Sequence, residues 1–234
     1  MNRAYQIEPV AECSILIVFE QPASSATSQM VRSVCEELST QFTNELLSIT
    51  PSYRTILLDY LPQRITQVEL CSQVASLLER LKPQPPHSDD ILVLPAYYDA
   101  AVGPDLALYF ERGLSLDTVI RLHSETIYTV GAIGFAPGFA FLTEVNEQLA
   151  LPRKATPRLS LPKGSIAIAE RQTAVYPDAS PGGWNVIGNC PISLYSPDDD
   201  PMIPFTVGQR VRFVPIKKTE FLALGGVINE EAFA

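Results

Sequence analysis

The sequence predicts a mixed α+β chain in two parts: a small α/β unit of ferredoxin-like type over residues 1–88, then a strand-rich barrel over residues 89–234. Three observations carry this. The first 88 residues run strand, helix, strand pair, helix, an order that lets two helices cover one face of an antiparallel sheet. The run Lys82-Pro83-Gln84-Pro85-Pro86-His87-Ser88-Asp89-Asp90 has almost no apolar side chain to bury, and its prolines favour an extended linker with a boundary near residue 88. Beyond Thr126, short apolar runs recur between Pro/Gly turns, the pattern of a closed or nearly closed barrel.

Taken in order, Ser14 to Phe19 is a β-branched run of strand type, followed by a Pro/Ser/Thr turn over Gln21 to Thr27. A helix fits Ser28 to Leu47, with Met30, Val34, Leu38 and Phe42 every four residues and Ser28 as its N-cap. Ile56 to Leu58 is a strand after the Pro51-Ser52 turn. Gln67 to Leu81 is a second helix capped by Thr66, with Val68, Cys71, Val74, Ala75, Leu78 and Leu81 on one face. After a strand at Ile91 to Pro95 come two short helices, Pro104 to Glu111 and Ser115 to Ser124. In the second, His123 shares the apolar face of Leu116, Val119 and Ile120, where a histidine is most simply a core residue with a satisfied hydrogen bond. The later strands fall at Ile127 to Ile133, Phe139 to Leu142, Ser165 to Ala169, Ala174 to Tyr176, Trp184 to Ile187, Ile192 to Tyr195 and Gln209 to Val214.

Composition removes several functions. The N-terminus has no charged segment followed by a long apolar one, and the longest early apolar run, Ile15 to Phe19, cannot span a bilayer, so the expectation is a soluble, cytoplasmic protein with no membrane partner. Cys13, Cys35, Cys71 and Cys190 form no CxxC pair and are read as reduced core thiols, with no metal site. A net charge of −9 with no basic stripe argues against nucleic acid. Neither a P-loop nor GxGxxG is present, so ATP chemistry would need another subunit or an unfamiliar site. Asp198-Asp199-Asp200 reads as a solvated turn rather than a cation site.

The informative stretch is Gly131 to Gly188, which holds seven of the twelve glycines and the only tryptophan. Its Pro/Gly pairs place tight turns beside strands. Between Leu151 and Asn189 lie five cations (Arg153, Lys154, Arg158, Lys163, Arg171) against two anions, Glu170 and Asp178. In an acidic chain this is either solvated loop charge or a pocket for a small anion, which guanidinium groups grip with paired hydrogen bonds. Ser165 and Gln172 are polar positions on strands and so candidate pocket donors, and Trp184 is a core anchor whose indole N–H can reach a ligand.

These residues also carry a family resemblance. Gly134-Phe135-x-Pro137-Gly138-Phe139, Pro152-Arg153, Pro157-Arg158, Gly164-Ser165-Ile166-Ala167-Ile168-Ala169, Gln172-Thr173, Tyr176-Pro177 and Ser180-Pro181-Gly182-Gly183-Trp184-Asn185-Val186-Ile187-Gly188 resemble the family of 5-oxoprolinase B subunits, also called PxpB, KipI-like or allophanate hydrolase subunit 1. With Gly103-Pro104-Asp105-Leu106 and Val119 to Ser124, the similarity runs from about Ala11 to Ile216. The resemblance implies a cyclophilin-like barrel in the second part, and as partners the C and A subunits of 5-oxoprolinase. Together these would form an ATP-dependent (Mg2+) hydrolase that opens 5-oxoproline to L-glutamate and is inactive as a lone chain. The same resemblance leaves two rivals: an inhibitor of a sensor histidine kinase, and a component related to urea carboxylase. Under the first reading His123 is a proton shuttle or orienting donor, Arg153 and Arg158 hold the anion, and Ser165, Gln172, Tyr176, Gly182, Gly183 and Trp184 line the pocket. Two departures from the family pattern stand out: Asn189-Cys190 where an Arg-Thr pair is usual, and Glu170-Arg171 before Gln172, with Arg171 as a substitute guanidinium.

Overall fold

A computed structural model describes residues 4–81, 91–229 and 233. The expected linker, Lys82 to Asp90, and the boundary near residue 88 lie outside the described residues. Two compact units are present: the described residues up to 81 joined by Thr206–Gly208, and those from 91 onward without that tripeptide. The chain is mixed helix and sheet, and its strands pair mostly antiparallel.

The first unit comprises β1 (Tyr5–Ala11), β2 (Ser14–Phe19), α1 (Ser25–Gln41), β3 (Leu46–Ser52), β4 (Thr55–Tyr60) and α2 (Gln67–Arg80). Its antiparallel strands run in the order β1-β2-β4-β3. Ile15, Ile17 and Phe19 on β2 and Ile56 and Leu58 on β4 are buried while the residues between them are not, the period of two that a half-covered sheet requires. The register sets Ile15 opposite Leu58 and Ile17 opposite Ile56, so both strands turn the same face to the core.

Sequence periodicity locates both helices but misplaces their ends and faces. The first starts a turn earlier than predicted: Ser24, not Ser28, is the cap and accepts from the Thr27 amide at 3.2 Å, while Ser28 is buried in the first turn. It stops at Gln41, and Leu46 and Leu47 belong to β3. The second helix buries Leu70, Val74 and Leu77, and Val68, expected inside, is 79% exposed. That sequence carries apolar residues at enough positions to offer two overlapping faces, and packing selects one. The N-terminal β1, which no sequence pattern marked, holds the sheet edge beside β2.

The second unit comprises β5 (Ile91–Ala96), α3 (Leu106–Glu111), α4 (Leu116–Ser124), β6 (Tyr128–Ile133), β7 (Ala140–Thr143), a 3-10 turn at Glu147–Leu149, β8 (Arg158–Leu161), β9 (Ser165–Ala169), β10 (Gln172–Val175), β11 (Ser180–Gly182), β12 (Asn185–Asn189), β13 (Arg210–Pro215) and α5 (Lys218–Ala223). Its strands follow the path β5-β13-β6-β7-β10-β9-β12, antiparallel except for β5 with β13. The two ends of this path meet. Tyr97, just after β5, exchanges backbone hydrogen bonds of 2.9 and 2.8 Å with Asn189 at the end of β12. Every residue of β9 and β12 is buried, as expected of strands covered on both faces.

A two-stranded ribbon of β8 and β11 stands apart from this path, pairing Leu161 with Ser180 and Arg158 with Gly182. From sequence, Ser180-Pro181-Gly182 reads as a turn, because a Pro-Gly pair masks so short a ribbon. The strand predicted at Ile192 to Tyr195 does not form. Pro191 removes a ladder donor at its start, and the Ser193 hydroxyl turns back on the Tyr195 carbonyl at 2.9 Å.

Candidate functional site

Small side chains on two adjacent strands make room for large ones. Ala167 and Ala169 on β9 and Ala174 on β10 share a buried cluster with Phe139, Leu161, Tyr176, Trp184 and Val186. Phe139 is the hub of the aromatic packing, edge-on to Tyr176 at 5.3 Å, Phe141 at 4.9 Å and Trp184 at 5.8 Å between ring centroids. Such edge-to-face pairs favour one mutual arrangement over a loose apolar mass. Their outer surfaces, with Phe135, Pro181, Gly182 and Gly183, wall a cleft of about 120 Å³.

Arg153 is the cation of this cleft. Its guanidinium lies 5.7 Å from the centroid of the Trp184 ring, within cation–π range. Burial pushes the Tyr176 hydroxyl up to about 12, even with Arg153 pulling it down, so the phenol stays protonated at neutral pH. Guanidinium and indole N–H are donors only, and a protonated phenol is available to donate. The cleft is therefore suited to an acceptor-rich, negatively charged group against an aromatic wall. Phe135 sits at its lip, 65% exposed and held at φ 75°. A bulky residue in the left-handed region is strained, and such strain gathers at functional sites.

A largely buried ionic network ties the segments around the cleft, and although Gly103-Pro104-Asp105-Leu106 counts toward the family resemblance, nothing in that run marks Asp105 as the partner of distant cations. Asp105 follows Gly103-Pro104 and immediately precedes α3, yet its carboxylate does not cap that helix. It accepts instead from both terminal nitrogens of Arg158 at 2.6 and 3.0 Å, from Lys154 at 2.7 Å and from the Val186 amide at 2.7 Å, with only 4% of its side chain exposed. Burial raises the Asp105 pKa, but the Arg158 and Lys154 hydrogen bonds and the amide outweigh it and hold the carboxyl below its ordinary value.

The cleft brings together Arg153, Tyr176, Gly182, Gly183 and Trp184 from widely separated turns. Four other expected site residues lie elsewhere. Arg158, expected to hold an anion from outside, is bound two-pronged to Asp105. Ser165 is buried and its hydroxyl donates to the Pro162 carbonyl at 2.7 Å. Gln172 lies on β10 opposite Thr143 and Ala169 and does not line the cleft.

His123 does not line it either. It is wholly buried on α4, its ring 4.5 Å from that of Phe213. The Thr173 hydroxyl donates to the Ala167 carbonyl at 3.0 Å, so it must accept from His123 Nε2 at 3.1 Å, which leaves Nδ1 to accept from the Tyr98 hydroxyl at 2.7 Å. That fixes one neutral tautomer with both nitrogens engaged. Burial drives its pKa down to about 3. A histidine so placed satisfies the core and is unsuited to shuttle protons at the cleft.

Arg171, the substitute guanidinium, pairs with Glu147 at 2.8 Å on the surface. At the other family departure, Asn189 donates to the Lys163 carbonyl at 2.9 Å, and burial raises the Cys190 thiol to about 12, which leaves it inert. Asp198 to Asp200 are exposed, and no group of three or more metal-ligating side chains occurs among the described residues. No described helix is long and apolar enough to cross a membrane.

Comparison with known proteins gives the class and then the family. The family profile described as Carboxyltransferase domain, subdomain C and D, matches residues 5–205. The solved structure of TTHA0988 superposes with a TM-score of 0.76 at 33% identity over 87% of this chain, which spans 40% of that longer chain. The urea carboxylase of Kluyveromyces lactis, at 16% identity and TM-score 0.61 over 97% of this chain and 23% of its own, shares the fold alone. The B subunit of 5-oxoprolinase from Bacillus subtilis is 31% identical over 95% of this chain and 98% of its own length. The chain belongs to the family of 5-oxoprolinase B subunits.

Proposed function

We propose that the chain is the B subunit of an ATP-dependent 5-oxoprolinase and acts with the partner A and C subunits to convert 5-oxo-L-proline to L-glutamate. The observation that carries this is the end-to-end match to the Bacillus subtilis protein, combined with a donor-lined aromatic cleft at the motifs that bear the resemblance. In this reading the first unit is a ferredoxin-like variant. The second is a cyclophilin-like barrel, for which the Tyr97–Asn189 pairing between the ends of the strand path is support.

A lactam amide is unstrained and a poor electrophile, so opening it needs activation as well as water. Arg153 holds the substrate carboxylate, and Tyr176 and Trp184 donate to the ring carbonyl. Phe139 and Phe141 wall the inner side of the cleft, where Tyr176 and Trp184 are buried, while Arg153 and Phe135 stand at its open side. Among the described residues, those of the cleft do not fit a triphosphate. Lys154 and Arg158, the cations nearest Arg153 in sequence, are both bound to Asp105. In this reading ATP and its Mg2+ are held in the assembly outside this cleft.

The test is reconstitution. Purified chain mixed with the A and C subunits of a related system, ATP, Mg2+ and 5-oxoproline should yield glutamate, and omission of this chain should abolish it. No glutamate, with a related B subunit active in parallel, rejects the proposal. A fall in the autophosphorylation of a sensor histidine kinase, without any need for the C subunit, would replace it with the inhibitor reading.

A further inference from the structure

We propose that Asp105 is a positioning residue that fixes Arg153 over Trp184, acting through Lys154, Arg158 and the Val186 amide. The proposal rests on the reading of the aromatic cleft as the ligand site. Three segments must meet to form that cleft's polar side: the loop bearing Arg153, the β8 and β11 ribbon, and the turn bearing Trp184. Asp105 touches all three. It binds Lys154, the residue after Arg153, and Arg158 at the start of β8. It also binds the amide of Val186, two residues past Trp184.

The backbone completes the tie, since the Lys154 amide donates to the Gly183 carbonyl at 2.8 Å, directly before Trp184, and Arg158 pairs with Gly182 across the ribbon. The Arg153 loop is thereby fastened on its C-terminal side to Gly182 and Gly183, while Asn185, the residue after the tryptophan, donates to the Pro152 carbonyl at 2.9 Å on its N-terminal side. A carboxylate with one buried position and four donor contacts has a single geometry that satisfies all of them. Its contacts also keep Lys154 and Arg158 on Asp105, and neither lines the cleft, where Arg153 is the cation.

Trp184 is the chain's only tryptophan, which turns its fluorescence into a direct reading of this arrangement. In the isolated full chain, D105N should shift the Trp184 emission and raise its quenching by iodide about twofold or more, because Lys154 and Arg158 are released and draw in the anion. In the reconstituted assembly the same variant should raise the KM for 5-oxoproline on the order of tenfold, while the conservative D105E recovers part of the loss. E147Q, which breaks the surface pair with Arg171, should leave emission and quenching as they are.

A folded D105N with wild-type emission and wild-type iodide quenching overturns the proposal, whatever its stability. Should D105N not fold, K154M and R158M carry the emission part of the test, each removing one arm of the network. Wild-type spectra in both would overturn it equally. The spectroscopic readings need no partner protein, so they hold even if reconstitution yields no glutamate.

Discussion

The guanidinium of Arg153 lies over the indole of Trp184 at 5.7 Å, although thirty-one residues separate them in sequence. Two Pro/Gly-marked segments supply this pair, and neither is regular structure at the point of contact. The donors of the cleft are therefore held by loops, and the loops by the buried network centred on Asp105. Perturbing either level should be visible at the other.

The two glycines before Trp184 should respond differently to a methyl group. A Cβ on Gly182 would run into the Tyr176 hydroxyl and come within 2.8 Å of Leu161 Cδ1, whereas one on Gly183 would meet nothing closer than 3.6 Å. G182A should cost about 1–3 kcal/mol and impair the cleft, because a packed wall cannot yield without moving its neighbours. G183A should stay within about 0.5 kcal/mol. Urea unfolding of the two variants checks this, with similar midpoints counting against it.

His123 should make stability depend on pH in a defined direction. Its folded-state pKa is lowered to about 3 from an ordinary 6.5. Between these values the unfolded chain binds a proton that the folded chain refuses. The contribution is thus present above pH 6.5 and is lost as pH falls toward 3, at up to about 1.4 kcal/mol per pH unit. H123Q removes this titration, so the difference in unfolding free energy between wild type and H123Q should shrink from pH 7 to pH 4.5. A constant difference would show that burial does not hold His123 neutral.

Much of this fold is legible in the sequence where a local rule decides the outcome. The strand at Ser14 to Phe19 and the cap at Thr66 can be read directly because a short β-branched apolar run and a capping residue each act over a few residues. The start of α1 cannot, since the run Ser24-Ser25-Ala26-Thr27-Ser28 offers several caps of the same chemistry. The site is half legible for a similar reason. Pro/Gly turns and a lone tryptophan point to the cleft, but counting charges between Leu151 and Asn189 cannot see partners outside that window. Asp105 and Glu147 lie before it, and they take three of its five cations. A lone aspartate next to a short helix gives no local sign that its partners are some fifty residues away.

The reciprocal cap of α2 gives a control in the first unit. The Thr66 hydroxyl accepts from the Glu69 amide at 3.3 Å, and the Glu69 carboxylate accepts from the Thr66 amide at 3.0 Å. T66A should lower stability by about 1 kcal/mol and T66S should restore most of it. Calorimetry of the two variants checks the size, and equal melting of T66A and wild type would contradict it.

The central claim is that Arg153, in the cleft faced by Trp184, holds the substrate anion. Its most direct test is glutamate formation by R153M, reconstituted with the A and C subunits, ATP, Mg2+ and 5-oxoproline. The account predicts a folded chain whose kcat/KM falls on the order of a hundredfold, as loss of a charge-assisted contact to the reacting substrate should cause. An R153M chain that forms glutamate at the wild-type rate would contradict it.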